Sequence, residues 1–155
     1  MRTTILTLLI CLVVASMTLL FAQAPVVRVL PEQVKWVPEP DGLGFQQAVV
    51  EGDPAKPGVY IVWVKFPPYV MSRPHFHDET RYGTVIKGTW YTGEGTTFAP
   101  EKTVALKAGS YMKHPAKTPH FDGAKGEEVI IQLMGMGPSK TTRVDTTKPL
   151  FAPSK

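Results

Sequence analysis

Apolar residues follow two different patterns along this chain of 155 residues. Residues 5–22 form one apolar run without a charged side chain, whereas from residue 26 onward apolar residues occur in short runs between glycine and proline clusters. Short runs between turn clusters are typical of β-strands, and no 3.6-residue period of helical length follows the first segment. The predicted strands cover residues 26–30, 45–50, 59–66, 82–91, 103–106, 110–113 and 129–134. Seven or more short strands at this spacing predict a single all-β sandwich or barrel.

The run at residues 59–66 is apolar on both of its alternating faces. Its side chains form two sets, Val59, Ile61 and Trp63 on one face and Val62, Val64 and Phe66 on the other. A strand with apolar side chains on both faces is expected to lie between two layers.

The first 24 residues are predicted to be a secretory signal peptide. Arg2 precedes the apolar run, and Ala22-Gln23-Ala24 ends it with the small-x-small sequence of a cleavage site. Pro25 would occupy the first position after cleavage, and the run is long enough to span a bilayer, so an uncleaved anchor is the alternative. We therefore expect a periplasmic or secreted protein, or a membrane-anchored one that faces outward. The globular domain would be residues 25–155.

Composition excludes several classes of mechanism. The only cysteine, Cys11, lies in the predicted signal peptide, so a cleaved chain could form no disulfide and use no thiol nucleophile. The formal net charge of +4 is spread over the chain without a long basic run, which gives no indication of nucleic-acid binding. The sequence also lacks a glycine-rich phosphate loop and a serine nucleophile elbow.

The histidines are the candidates for chemistry. His75 and His77 are two residues apart, so on a strand both imidazoles face the same way and can reach one metal ion. Two surface or capping histidines are the alternative interpretation. His120 adds a third imidazole after two prolines. Neutral imidazole suits Zn, Fe, Mn, Ni and Cu.

With these residues the chain resembles the cupin superfamily. The positions that match the two cupin motifs are, in order, His75, His77, Gly88, Gly109, Pro115 and His120. The resemblance covers residues 45–138 and extends to small exported single-domain cupins. It implies a cupin-type jelly-roll β-barrel with one divalent transition metal ion on His75, His77 and His120. It also implies a small-molecule ligand at the open metal positions and a homodimer as a family-level expectation.

Four positions depart from the cupin motifs. The glutamate ligand of the family is replaced by Arg81, which stays protonated and cannot ligate a metal. Two motif glycines are replaced by Tyr69 and Lys117, and the closing asparagine by Ala124. These losses concern the ligand set and the loops rather than the barrel.

Two polar residues lie close to the first histidine pair. Glu79 follows His77 by two residues, the spacing that places side chains on one face of a strand, and is a candidate fourth ligand. Tyr82 is a weaker candidate. Arg81 could clamp a carboxylate or an enolate beside the metal, because its planar charged fork matches such anions. The structural alternative for Arg81 is a surface ion pair with Asp78 or Glu79.

The remaining candidates are less specific. His114 precedes Pro115 and is expected to face outward from a strand. Gln132 lies in an apolar run and is expected either to bind a ligand or to face outward. Five aromatic residues could line the pocket, although most are expected to belong to the core: Trp63, Phe66, Trp90, Tyr111 and Phe121.

Three functions are consistent with the sequence. The first is a metal-dependent enzyme of the oxygenase or lyase type that acts on a small anionic molecule outside the cytoplasm. The second is a cupin that binds a metal ion or a small ligand without turnover. The third is a metal-free structural protein, which predicts that the histidines do not converge within about 4 Å of a common point. The fold alone does not decide among them.

Overall fold

The computed structural model describes residues 25–155, which form two antiparallel β-sheets that face each other. The predicted all-β class is therefore confirmed. In this part of the chain the strands are β1 (Val37–Pro38), β2 (Gln46–Glu51), β3 (Gly58–Phe66), β4 (Val70–Ser72), β5 (His75–His77), β6 (Arg81–Lys87), β7 (Thr89–Glu94), β8 (Val104–Lys107), β9 (Tyr111–His114), β10 (His120–Gly123), β11 (Val129–Gly137), β12 (Thr141–Arg143) and β13 (Phe151–Pro153). Two short 3-10 turns lie at Pro31–Gln33 and Pro100–Lys102.

The strand order explains how distant segments meet. The first sheet has the order β1-β2-β3-β11-β6-β9. In the second sheet β10 pairs with β7 on one side and with both β5 and β4 on the other, and β12 and β13 complete that side. Strands β5 and β10 carry the predicted ligands, and they are direct neighbours in the second sheet.

The core fills the space between the sheets. The long central strand β3 places Tyr60, Val62, Val64 and Phe66 in it, and all four are buried. The other face of β3 is not covered by a further layer, since Val59 is 54% exposed and Ile61 and Trp63 are half-buried. The prediction that β3 lies between two layers is therefore wrong for its outer face.

Glycine at one position decides which sheet a strand joins. The predicted strand at residues 82–91 is divided at Gly88 into β6 of the first sheet and β7 of the second. Gly88 has a φ of 77°, and a Cβ there would overlap the carbonyl oxygen of Glu128. Only glycine fits both constraints, so this residue produces the corner between the sheets.

Two replaced motif glycines keep a glycine-like backbone. Tyr69 has a φ of 64° and Lys117 a φ of 59°, both in the left-handed region. Both residues therefore adopt a backbone conformation that glycine reaches freely, at the steric cost that a side chain carries there.

The N-terminal predictions have different outcomes. Residues 26–30, predicted as a strand, are exposed and pair with no strand of the described chain. The predicted signal peptide and Cys11 lie outside the described residues. Within residues 25–155, no helix has the length and apolar character needed to cross a membrane.

Candidate metal centre

Three buried histidines converge on the inner face of the second sheet. His75 on β5 lies directly opposite His120 on β10, and His77 follows two residues along β5 on the same face. Their ring centroids are 4.5 to 5.3 Å apart. One ring nitrogen of each lies within 4.8 Å of the other two. The histidines therefore meet, contrary to what a metal-free structural protein predicts.

Backbone carbonyls orient two of the rings. The Nδ1 atom of His75 lies 2.8 Å from the carbonyl oxygen of Arg73, and that of His120 lies 2.9 Å from the carbonyl oxygen of Thr118. Because a carbonyl oxygen only accepts, each Nδ1 carries the proton and each Nε2 presents its lone pair. This arrangement holds a metal-binding imidazole in one tautomer and one orientation.

The tautomer of His77 follows from its two neighbours. Its Nε2 atom lies 3.3 Å from the Nη1 atom of Arg81, and its Nδ1 atom lies 3.2 Å from Oγ1 of Thr141. Arginine only donates, so Nε2 is the acceptor and Nδ1–H points to the threonine oxygen. All three Nε2 atoms therefore carry lone pairs.

The electrostatics keep two of these imidazoles, those of His75 and His77, in the form that can bind a metal ion. Burial, followed by the charge of His120, lowers the pKa of His75 to about 4. Burial, followed by the charge of Arg81, holds the pKa of His77 well below its usual range. Neutral imidazole is the form that binds a metal ion, so at neutral pH no proton has to leave these two rings first. The donor set fits a transition metal ion.

Arg81 occupies the edge of this site as part of a polar network. Its Nε atom donates to Oε1 of Glu79 at 3.1 Å, one Nη atom donates to Ser139 and the other faces His77. The Tyr60 hydroxyl also donates to Oε1 of Glu79, at 2.9 Å. The predicted ion pair of Arg81 thus exists with Glu79, but both side chains are largely buried rather than at the surface.

Glu79 is held by this network and not by the histidines. Burial alone would raise its pKa, but the nearby Ser139 hydroxyl and the hydrogen bonds from Tyr60 and Arg81 outweigh burial and lower it. Glu79 is therefore ionised as the partner of the guanidinium. Among the described residues, the cluster that could hold a metal ion consists of the three histidines without Glu79, and the role of Glu79 as a fourth ligand stays a prediction. Tyr82 projects from the opposite face of β6 and is 39% exposed.

His114 lies at the site, and the expectation that it faces outward is wrong. Its ring stacks on that of His120 with centroids 3.7 Å apart and an interplanar angle of 20°. Burial, followed by the charge of His120, lowers the pKa of His114 to about 3. The pairing of β9 with β6 places His114 opposite Arg81, which sequence parity across the intervening turn could not reveal.

A buried carboxylate missed in the sequence lies behind the histidines. Asp122 follows His120 by two residues on β10, and its oxygens accept from the Ser72 hydroxyl and, at 3.1 Å, from Nε1 of Trp90. Burial would raise the pKa of Asp122, but the charges of His75 and the other imidazoles lower it. The same two-residue spacing that paired the first histidines could have identified this residue.

A cavity of about 270 Å³ opens over the histidines. Its polar end contains the three histidines with Arg81, His114, Asp122, Ser72 and Thr141, and apart from Glu39, Gln47 and the Tyr60 hydroxyl its other walls are apolar. Among the apolar residues are Phe45, Phe66 and Phe151, which pack against one another with centroids 4.5 to 6.5 Å apart. The site therefore pairs a charged end with an aromatic wall.

Most of the predicted pocket aromatics lie elsewhere. Phe66 lines the cavity, whereas Trp90 and Phe121 are fully buried in the core and Tyr111 is 62% exposed. Trp63 donates through Nε1 to Oε1 of Gln132 at 3.0 Å. That contact joins β3 and β11 outside the cavity, so Gln132 takes the outward position of its two predicted alternatives.

Comparisons with known proteins identify the fold. No protein-family model and no curated protein sequence matches this chain. The polyketide cyclase RemF from Streptomyces resistomycificus aligns with a TM-score of 0.64 at 17% identity, over 78% of this chain and 87% of that protein. An RmlC-like cupin from Ralstonia eutropha JMP134 aligns with a TM-score of 0.62 at 18% identity, over 87% and 83%. KdgF from Halomonas sp. gives a TM-score of 0.56 at 19% identity, over 73% and 96%.

Proposed function

This chain has the cupin fold, as its motifs predicted, and we propose that it is an exported metal-dependent enzyme of the oxygenase or lyase type. Its substrate would be a small molecule with an anionic group and an apolar body. The observation that carries this proposal is the convergence of one ring nitrogen from each of three buried histidines at the polar end of a cavity. Export rests on the sequence of residues 1–24 alone.

The open positions at the three-histidine site favour catalysis over a purely structural metal. Structural sites are closed by four protein ligands, whereas catalytic sites leave positions for water or substrate. His75, His77 and His120 would hold a divalent ion such as Zn, Fe, Mn, Ni or Cu, and it would supply Lewis-acid or oxygen-activating chemistry.

The chain's own residues would bind and orient the substrate. The Arg81 guanidinium lies at the polar end of the cavity, where it can bind a carboxylate or enolate. The aromatic wall of Phe45, Phe66 and Phe151 would hold the apolar body and exclude water from it. An anion fixed at one end and an apolar contact at the other restrict the substrate to one orientation.

A second candidate is a cupin that binds without turnover. The observation that favours it is the contact of Arg81 with His77, which covers one of the three ligand nitrogens. The cavity volume of about 270 Å³ also lies just below the roughly 300–1,000 Å³ common for ligand sites. The alignment with the polyketide cyclase RemF supports the possibility of catalysis on this fold, but it does not indicate which reaction this chain would catalyse.

Metal content tests the proposal. Protein purified from its native compartment should contain about one metal ion per chain by elemental analysis. His75→Ala and His120→Ala should each lose it, because two imidazoles hold such an ion far more weakly than three. His114→Gln is the matched control, since it removes the fourth histidine of the same cavity and should retain the metal.

The outcomes separate the two candidates. Protein without stoichiometric metal, or His75→Ala protein with unchanged metal content, would contradict the enzyme and the metal-binding form of the second candidate, and would leave only a cupin that binds a small ligand. If metal is present, small aromatic and aliphatic carboxylates can be offered to the loaded protein and followed by NMR. Conversion supports the enzyme, and ligand-induced shifts without conversion support the binding protein.

A further inference from the structure

Arg81 and a metal ion compete for the same lone pair. The Nη1 atom of Arg81 lies 3.3 Å from Nε2 of His77 and donates to it. A metal ion on this histidine must approach the same nitrogen to about 2.0–2.1 Å. Arginine stays protonated, so it cannot become neutral and leave this nitrogen free. The guanidinium must therefore turn away from His77 before all three histidines can bind one ion.

Glu79 gives the guanidinium a place to turn to. Its Oε1 atom accepts from both Tyr60 and Arg81, whereas its Oε2 atom is buried and has no hydrogen-bond partner in the described structure. A carboxylate and a guanidinium pair best through two parallel hydrogen bonds. A rotation of the guanidinium that moves Nη2 from Ser139 to Oε2 would satisfy that atom and release His77 without breaking the ion pair.

The buried charges link this movement to an anion. With the imidazoles counted as neutral, the buried groups at the polar end are Arg81, Glu79 and Asp122, which leave one net negative charge. Glu39 also lines the cavity but is exposed. The metal-free site therefore repels an anion, and a divalent ion changes its net charge to one positive. Metal and anion should each favour the binding of the other.

We propose that Arg81 covers His77 in the metal-free protein and that a divalent metal ion and a small carboxylate bind cooperatively. The carboxylate would accept the hydrogen bonds that Arg81 withdraws from His77 while it lies beside the metal. This inference rests on the proposed metal site. Because such coupling is reciprocal, the carboxylate must raise metal affinity by the same factor by which the metal raises carboxylate affinity.

Titration with Co²⁺ tests the coupling without any turnover. Calorimetry on the full domain would measure the Co²⁺ dissociation constant alone, with benzoate and with benzamide. Benzoate offers a carboxylate and an apolar ring, and benzamide has the same shape without the charge. We expect benzoate to tighten Co²⁺ binding by about 5- to 150-fold, the usual range of coupling between sites, and benzamide to leave it unchanged.

Removing the guanidinium should remove the competition. Arg81→Gln should bind Co²⁺ more tightly than the wild type and lose the benzoate effect. Lys87→Gln is the matched control, because it removes one positive charge from the exposed part of the same strand. The double variant Glu79→Gln, Arg81→Gln keeps the net charge of the site and avoids an unpaired buried carboxylate, so it should also bind Co²⁺ more tightly and show no benzoate effect.

The results distinguish failure of this inference from failure of the metal site. Unchanged or weaker Co²⁺ binding by the double variant, an equal benzoate effect in all variants, or equal tightening by Lys87→Gln would overturn the coupling. If His75→Ala abolishes Co²⁺ binding in the same series, the metal site itself would stand. Absence of Co²⁺ binding from every variant would overturn both.

Discussion

Mild acid should destabilise the metal-free protein, because burial lowers the pKa values of His75, His77 and His114. The pKa of His75 is about 4 and that of His114 about 3, whereas both return to about 6.5 in the unfolded chain. Between these values the unfolded chain binds more protons than the folded one. The free energy of unfolding is therefore highest above pH 6.5 and decreases as the pH falls towards the folded-state values.

The size of this loss follows from the two shifts. Between its folded-state and unfolded-state pKa values, each histidine lowers the free energy of unfolding by about 1.4 kcal/mol for each pH unit of acidification. His75 and His114 together should cost on the order of 4 kcal/mol between about pH 6.5 and pH 5. His77, whose pKa is also lowered, adds to the same trend. A small domain has only about 5–15 kcal/mol of stability in total, so this loss is large.

Urea denaturation followed by tryptophan fluorescence, with a chelator present, measures the effect. The extrapolated free energy of unfolding should be constant above about pH 7 and decrease steeply towards pH 5. His114→Gln should reduce that slope by about 1.4 kcal/mol per pH unit, the contribution of one imidazole. Equal stability at pH 7 and pH 5, or a slope that His114→Gln leaves unchanged, would refute the assignment of buried neutral imidazoles.

Two further substitutions test the hydrogen bond that orients His77 and the close packing of β10 against β4. Thr141→Val keeps the side-chain shape but removes the oxygen that orients the Nδ1–H of His77, so Co²⁺ affinity measured by calorimetry should fall by about 10- to 100-fold; unchanged affinity would contradict this role. Gly123→Ala places a Cβ against the carbonyl oxygen of Val70, where the backbone of the neighbouring strand cannot move aside, and should cost about 1–3 kcal/mol or more in urea denaturation. Gly126→Ala is its control, because a Cβ there meets no atom within 4 Å, and an equal loss in both variants would count against the packing argument.

The sequence predicted the long strands because their apolar residues are contiguous. The predicted runs at residues 59–66 and 129–134 lie within β3 and β11, which pair with each other along their full length. Six short strands, β1, β4, β5, β10, β12 and β13, were not among the predicted runs, because two to four residues carry little or no period of their own. Their conformation depends on neighbouring strands, as the pairing of β13 with β4 shows. Residues 26–30 have the composition of a strand without a partner, and composition alone cannot supply one.

Within the site, sequence spacing predicted which side chains share a face of one strand, but it did not predict which side chains of different strands lie together. Local parity placed His75 and His77 on one face of β5. The position of His114 depends instead on the register of β9 against β6, which is set by turns and cross-strand contacts rather than by its own segment. Cross-strand neighbours of this kind are fixed only once the sheet is assembled.

Arg81 belongs to the first sheet and the three histidines belong to the second, so the arginine side chain could move without disturbing the histidines. The three histidines lie on β5 and β10 of the second sheet, and two of their rings are fixed by backbone carbonyls of that sheet's own segments. Arg81 lies at the start of β6 in the first sheet and contacts the histidines only through its side chain. A change in its rotamer therefore leaves the ligand geometry intact. A glutamate at this position could close the proposed metal site with a fourth ligand, whereas under the proposed coupling arginine would leave that position to an exogenous anion and provide the charge that binds it.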